Sequence, residues 1–412
     1  MPIDFKIAWR NIWRNPRRSI LTVSAIAFAC VLLVFMLSWQ LGSYDSMIKF
    51  ATRIHTGHLQ VQARGYKEKR DIRLAVTDPD AVGGILESTP GVGAYTFRAN
   101  AFSLASSEER TYGIMVIGID PAKEAQVSAI KGLVRRGTYL SQDDTNEALI
   151  GELLAKNLHV DLGDEVVLLG QGRDGAIAAT VAKVKGVYSS GQDDFDRSSL
   201  QIPLKSFQDV YNMGASVHEV VALVNSLKDL EDVKKAIADR IEKTDEHKRL
   251  VTLDWMELMP GLIQGIQMDL VSGLIFYLIL IVVVAFSILN TFLMSVLERT
   301  REFGVLMAIG TTPRRLTRLL LLESTTVAAL GIIIGIIAGS LVTWYFQVHG
   351  IFISGASELM RQYGIPERMW PQLSLASLSI GPGAVLIITL LTALYPALKV
   401  RRLRPVEAMG AV

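Results

Sequence analysis

Apolar and charged positions are segregated along this chain rather than interleaved. Four stretches hold no Asp, Glu, Lys or Arg: 20–41, 270–296, 324–348 and 373–398. Their lengths are 22, 27, 25 and 26 residues. A helix needs roughly 20 residues to cross a ~30 Å hydrocarbon core, so each stretch predicts a transmembrane helix. At ~1.5 Å per residue the second run reaches ~40 Å and should tilt or project past the bilayer. Ahead of the first run, Phe5, Ala8, Trp9, Ile12 and Trp13 share one helical face. Lys6, Arg10, Arg14 and Arg17 line the other, the pattern of an amphipathic helix lying in a membrane interface.

Residues 42–269, between the first two runs, carry soluble periodicities. Gly57–Ala63, Val92–Ala105, Thr111–Ile119, His218–Val224 and Arg249–Leu253 read as strands. Asp78–Ser88 reads as a helix capped by Asp78 with Pro79 at its first position, and Leu227–Glu242 as a second helix. A β-rich stretch, about 148–206, has Asp164–Leu169 and Ile177–Gly186 as its best strands. The expected fold class is therefore an α-helical membrane protein of four spans. Its large α+β extracytoplasmic domain is inserted between helices 1 and 2 and interrupted by a smaller β-rich subdomain.

Charge gives the orientation. The net charge of +2 hides a split: +9 over 1–19, 297–323 and 399–412, and −7 over 42–269. In the loop 349–372, Arg361 and Arg368 balance Glu358 and Glu367. Basic residues near span ends stay in the cytoplasm, so both termini are expected inside and 42–269 outside. The mean hydropathy of +0.33 with 20% charged residues excludes disorder. The one cysteine, Cys30, excludes a disulfide framework and a multi-cysteine metal site. Val31–Leu37 continue the apolar run past Ala27-Phe28-Ala29-Cys30, so the first run reads as a retained helix with a buried thiol rather than a cleaved signal.

Catalytic motifs are absent. Gly170-Gln-Gly172-Arg-Asp-Gly175 matches G-x-G-x-x-G, but an alternating run follows it, so it reads as a hairpin turn. His55-x-x-His58 has no third ligand nearby and reads as a surface pair. Asp193, Asp194 and Asp196 lack EF-hand spacing, and Ser189 and Ser190 lack a nucleophile elbow. No G-x-x-x-x-G-K-[ST] occurs, so neither catalytic residues nor a metal site nor a nucleic-acid surface is expected, and the chain is not read as an enzyme.

The informative cytoplasmic segment is 297–323, where Val305, Leu306, Ala308 and Ile309 form an apolar patch beside Glu298, Arg299, Arg301 and Glu302. A short helix broken at Gly310 and Pro313 and lying across the membrane face is something a cytoplasmic partner can push against. The alternative is a solvated hairpin obeying the positive-inside rule. In the third span, Gly331, Gly335 and Gly339 form G-x-x-x-G twice over, letting a second backbone approach within the chain or across a dimer. Asn290, the chief polar residue deep in the second span, is expected to bond a neighbouring helix. Pro382 and Pro396 are expected to kink or end the fourth.

The run E-R-T-R-E-F-G-V-L-M-A-I-G-T-T-P-R-R-L resembles the cytoplasmic coupling segment of FtsX-like (type VII) ABC-transporter permeases. The opening A-W-R-N-I-W-R-N-P-R-R-S and the closing Y-P-A-L-K-V-R-R-L-R-P-V-E-A-M look like that family's ends. Within the family, H-T-G-H-L-Q-V-Q and a length with no room for a fused ATPase look most similar to lipoprotein-releasing permeases of the bacterial inner membrane.

The resemblance implies mechanotransmission. Two permease chains, a copy or a paralogue, would pair above separate ATPase subunits that bind ATP and Mg, while this chain binds no cofactor. The coupling residues it implies are Glu298, Arg299, Arg301, Glu302, Phe303, Gly304, Val305, Met307, Gly310 and Arg314. A lipoprotein or another amphiphile would be lifted from the outer leaflet and handed to a periplasmic carrier or adaptor. Phe35, Met36, Trp39, Met47, Ile48, Ile263, Ile266 and Met268 offer an apolar lining for its acyl chains, or else face membrane lipid. The alternatives are a non-transporting relay that activates an outside partner such as a wall hydrolase, or export of a small amphiphile or peptide with a periplasmic adaptor. A receptor without an ATPase is disfavoured by the coupling segment.

Overall fold

The computed structural model describes residues 3–244, 249–352, 355 and 368–401. Glu358, Arg361, Glu367, Arg402, Arg404 and Glu407 lie outside the described residues. The chain divides into two compact units: Met1–Asp45, Gly265–Phe352 and Arg368–Val412 form one, and Ser46–Gln264 with Ile353–Glu367 the other.

The first unit is helical. Its elements are α1 (Ile3–Arg14), α2 (Pro16–Ala51, running on into the second unit), α3 (Pro260–Glu298), α4 (Thr300–Ala308), α5 (Pro313–His349) and α6 (Leu375–Arg401). Four of these, α2, α3, α5 and α6, are long and apolar enough to cross a membrane. The helices α2, α3 and α5 run past both ends of their charge-free stretches and α6 past the end of its own; α3, at 39 residues, is ~58 Å long by the helical rise. Their shared core comprises Ile26, Ala29, Cys30, Leu33, Val284, Ile288, Val327, Ala328 and Val385, joined by Ile12 of α1. Cys30 is a free, buried thiol. Pro382 and Pro396 do not end α6, which runs through both. Neighbouring helices and local adjustment tolerate a missing donor in a membrane helix.

The second unit is built on one ten-stranded sheet. Its strands are β1 (Leu59–Ala63), β2 (Val92–Ser106), β3 (Thr111–Ile119), β4 (Val134–Gly137), β5 (Glu147–Gly151), β6 (Glu165–Gln171), β7 (Ile177–Tyr188), β8 (Ser199–Pro203), β9 (Glu219–Val224) and β10 (Leu250–Asp254). The spatial order is β10-β1-β9-β2-β3-β8-β5-β7-β4, with β6 bridging β2 and β7. Pairs β3–β8 and β5–β7 are parallel and the others antiparallel. The stretch 148–206, read from sequence as an interrupting module, contributes β5 to β8. These strands are hydrogen-bonded into the same sheet, because the long β2 and β3 extend beneath both halves.

Local chemistry explains the elements. The helix Pro79–Glu87 starts where the Asp78 side chain accepts from Ala81 N at 3.0 Å with Pro79 at the first position. The run Gly170–Gly175 is the β6–β7 turn, as its alternating flanks require, with Gly175 at φ +87°. One core joins the helices Pro79–Glu87 and Leu230–Ile241 to β1, β9 and β10 through Val82, Leu86, Val233, Ile237 and Leu250. Another lies under β5–β8. The two histidines read as a surface pair are not one. His58 is buried and its Nδ1 accepts from Val224 N at 3.0 Å, while His55 is half-buried, because both sit where α2 meets the sheet.

His218 makes this unit sensitive to acid. The buried ring accepts from Asn100 N through Nδ1 at 2.9 Å, donates from Nε2 to Ile72 O at 3.0 Å, and stacks on Tyr66 at 4.9 Å. Burial, and then the positive Arg173 and Arg70, outweigh the Ile72 carbonyl and Asp71 and push its pKa from 6.5 to about 4. The folded state therefore binds fewer protons than the unfolded chain between those values, and stability falls as pH drops through that window. From pH 7.5 to 5 this site should remove ~2 kcal/mol. Asp196, its carboxyl raised by burial, works in the opposite direction. The test is thermal unfolding of the full chain at the two pH values. The acid-induced loss should shrink in His218→Gln, and an identical loss in both proteins would refute the assignment.

Candidate functional site

The connection between α3 and α5 is short and rigid. Arg299 leaves helical geometry (φ −99°, ψ 8°), α4 follows, and Gly310 stops it at φ +102°, a left-handed conformation that a side chain would strain. Gly310 N donates to Met307 O at 3.1 Å and Thr311 N to Leu306 O at 3.0 Å, satisfying the last carbonyls. Thr312 is extended and Pro313 opens α5, where its missing donor costs nothing.

α4 has two faces. Phe303 and Gly304 are buried, and Met307 is half-buried. Phe303 and Met307 pack with Val296, Leu316, Leu320, Ala397 and Val400. On the other side Arg301, Val305, Leu306, Ala308 and Ile309 are exposed, with Val305 at 45%, Leu306 at 41% and Ile309 at 79%. Arg301 and Arg314 are exposed and form no ion pair among the described residues.

Ion pairs tie this segment to the N-terminal helix. Glu302 accepts from both terminal nitrogens of Arg14, one at 3.0 Å, and from Arg299 Nε at 3.4 Å. The hydrogen bond from Arg14, with its charge and that of Arg299, holds the Glu302 carboxyl below its usual range. Arg299 also donates to Glu323 at 3.0 Å and lies 5.3 Å over the Phe303 ring. Arg18 pairs with Glu298, and Arg315 with Asp4 at 3.1 Å. Single exposed pairs contribute little. Together they fasten α1 to α4 and to the start of α5, and α2 to the end of α3, while Ala8 and Ile12 of α1 are buried and Trp9 and Trp13 exposed.

The residues read as an acyl lining are dispersed. Phe35 meets Phe346 edge to face at 5.7 Å and lies 6.3 Å from Trp39. Met36 and Met268 are exposed, and Met47 is half-buried. Ile48 and Ile263 pack against the core of the second unit. Ile266 is buried and presents no surface, because it falls on the inward side of α3. A polar knot that the sequence reading missed ties α2 to α3 in the first unit. Tyr44 OH donates to Asp269 Oδ2 at 2.6 Å, Gln40 Nε2 to the same oxygen at 3.1 Å, and Tyr277 OH to Gln40 Oε1 at 2.8 Å. Its signal was Gln40, a lone amide in an apolar run, facing the acidic edge of the next.

The glycine stripe of α5 packs against α2 within the chain. A Cβ on Gly331 would lie 2.8 Å from Ile26, on Gly335 2.5 Å from Cys30 Cβ, and on Gly339 3.2 Å from Val31 Cα. Asn290 bonds no neighbouring helix: it is exposed, and its side chain has no hydrogen bond among the described residues, because α3 turns this face away from the other helices. In the second unit, Phe102, Leu104, Val167, Leu169, Ile177 and Val181 are exposed on β2, β6 and β7. These strands are apolar in both phases of the alternation, a signal visible in the sequence.

Comparison with known proteins gives the family. Residues 19–240 match the MacB-like periplasmic core domain and residues 274–405 the FtsX-like permease C-terminal domain. The lipoprotein-releasing system transmembrane protein LolC of Xylella fastidiosa is 23% identical over 95% of this chain and 93% of its own length. The macrolide export ATP-binding/permease protein MacB of Campylobacter jejuni is 25% identical over 83% of this chain, which spans 54% of that protein. The periplasmic region of MacB from Actinobacillus actinomycetemcomitans overlays 54% of the chain with 15% identity and a TM-score of 0.38. With a family match over more than half its length and a second over its last spans, this chain belongs to the FtsX-like, MacB-type permeases of ABC transporters.

Proposed function

We infer that this chain is the membrane subunit of a mechanotransmission ABC transporter that extracts lipoprotein, or a similar multiply acylated amphiphile, from the outer leaflet of the bacterial inner membrane. The observation that carries this is α4: a stiff helix with Val305, Leu306 and Ile309 exposed beside Arg301 and Arg314, which form no ion pair among the described residues. Apolar surface rimmed by cations suits the docking of another protein chain. In this reading a separate ATPase subunit binds ATP and Mg and closes against α4. The ion pairs to α1 and the packing of Phe303 carry that push into α2, α3 and α5. The Gln40–Asp269–Tyr44–Tyr277 knot closes α2 on α3, and acyl chains enter where it opens. A second permease, a copy or a paralogue, faces this one, both termini are cytoplasmic, and a periplasmic carrier accepts the cargo. The name of the Xylella relative favours lipoprotein.

A second reading, export of a small amphiphile through a periplasmic adaptor, draws on the Campylobacter relative, named for macrolide export. Purification of the chain from its native membrane in mild detergent, followed by mass spectrometry, separates the two. A co-purifying P-loop ATPase with a bound acylated protein is the expected result. An ATPase with only small amphiphiles bound would favour the second reading. Recovery with no ATPase would overturn both.

A further inference from the structure

The outer end of α2 does not fray into a linker. The helix runs into a π-turn, Thr52–Thr56, closed by Gly57 N donating to Thr52 O at 2.7 Å, with Gly57 at φ 69°. Only Gly57 and His58 then separate it from β1, an interior strand flanked by β9 and β10. A helix end leaves its last carbonyls without partners. Here the next four are each taken by a different group of the sheet-bearing unit. Arg53 O accepts from Ala129 N at 2.8 Å, and Ile54 O from Ser128 Oγ at 3.1 Å. His55 O accepts from Arg98 Nη1, and Thr56 O from Gln60 Nε2 at 2.7 Å. The Ile54 side chain is buried among Ile117, Ile119, Leu149 and Tyr188.

The centre of this socket is a buried ion pair. Arg98 on β2 and Glu124 on the helix Pro121–Val127 are each 1% exposed. Arg98 grips the carboxylate through Nε at 3.0 Å and Nη2 at 2.6 Å, leaving Nη1 for the His55 carbonyl. A guanidinium alone among side chains presents three N–H directions in a fixed plane, so it holds the carboxylate and the helix end together. A cation at a helix C-terminus also meets the negative end of the dipole. A buried pair is weak evidence for stability, and an apolar pair of similar volume would serve as well or better. What the ions supply and an apolar pair would not is a fixed direction between the helix axis and the sheet.

We propose that the Thr52–Thr56 turn is a rigid joint held by Arg98 and Glu124, which act as positioning residues. They deliver movement of α2 to the sheet as rotation of the whole sheet instead of losing it at the junction. This rests on the mechanotransmission reading above, which requires movement of α2 to reach the outside unit.

The test uses the full chain with its ATPase in lipid nanodiscs, spin-labelled at Lys49→Cys on α2 and Lys228→Cys beside β9. Arg98→Met/Glu124→Leu removes both charges while filling the space. Arg98→Lys keeps the ion pair but cannot hold the His55 carbonyl as well. A parallel assay in proteoliposomes measures extraction of a fluorescent tri-acylated peptide per ATP hydrolysed. The unsubstituted joint should give one narrow distance, the same with and without trapped ATP. In the double variant the distribution should broaden and extraction per ATP fall about tenfold, with ATPase rate within about twofold; Arg98→Lys should fall between. A narrow distance and full extraction in both variants would overturn the joint, as would a distance in the unsubstituted chain that shifts with ATP. If the unsubstituted complex extracts nothing, the transport reading fails. The joint is then judged by whether the double variant broadens the 49–228 distance.

Discussion

Glu302→Lys should cut recovery of the ATPase with the purified permease about tenfold, because it sets three cations together where a shared carboxylate now stands. Glu302 is the acceptor common to Arg14 from the N-terminal helix and Arg299 from the start of the coupling helix. Replacing it frees Arg14, leaves Arg299 to Glu323 alone, and removes one of three ties between the N-terminal region and the coupling segment. The exposed Val305–Leu306–Ile309 face should then lose its fixed presentation while its composition stays the same. Glu302→Gln keeps one acceptor and should lose only about two- to threefold. The charge swap Arg14→Glu/Glu302→Arg rebuilds the pair in reverse and should recover most of the loss. If the swap stays as poor as Glu302→Lys while Glu302→Gln is harmless, Glu302 acts by touching the ATPase directly, and the clamp on the N-terminal helix is not the mechanism.

What sequence made legible and what it did not divide along physical lines. The four spans were visible because a bilayer imposes length and excludes charge, and both are one-dimensional properties. The short helix α4 was visible because Gly310 and Pro313 are local breakers whose effect needs no tertiary partner. The glycine stripe announced a close approach, but its partner, α2, was not readable, since the facing residues Ile26, Ala27 and Cys30 lie some 300 positions away. Asn290 misled for the same reason: polarity in a span says a group is special, while the face it occupies depends on how the helix is rotated in the bundle. The socket around Thr52–Thr56 was invisible. Each of its donors is an ordinary residue of a strand, helix end or loop; Gln60 reaches Thr56 from four residues on, and only the fold brings Arg98, Ser128 and Ala129 to the same helix end. The lining residues were chosen by composition, and Ile266 shows the limit of that choice: an apolar side chain at the edge of a span packs inward as readily as it faces lipid.

The largest loss of stability should follow Gly335→Ile. Membrane helices gain nothing from leaving water when they pair, so α2 and α5 are held by close packing over small residues. At Gly335 the first atom of any side chain would sit 2.5 Å from Cys30 Cβ and 2.7 Å from Ala27 O. The second of these is backbone, and no rotamer change relieves it. The helices must part, which empties contacts along Gly331 and Gly339 as well. Overpacking of a well-filled core costs ~1–3 kcal/mol, and a blocked backbone approach belongs at the upper end. For a chain of 412 residues ~3 kcal/mol corresponds to roughly 4 °C of melting temperature. Thermal melting of the purified chain followed by size exclusion measures it. Ile334→Ala, next along the helix on its exposed side, should melt within about 1 °C of the parent. Cys30→Gly in the Gly335→Ala background should recover only part of that milder loss, since it removes the Cβ contact but leaves the Ala27 carbonyl in place. Unchanged melting of Gly335→Ile would mean that α2 and α5 do not meet along this stripe. In the proposed mechanotransmission reading, a push on α4 would then have to reach the outer end of α2 through α3 instead.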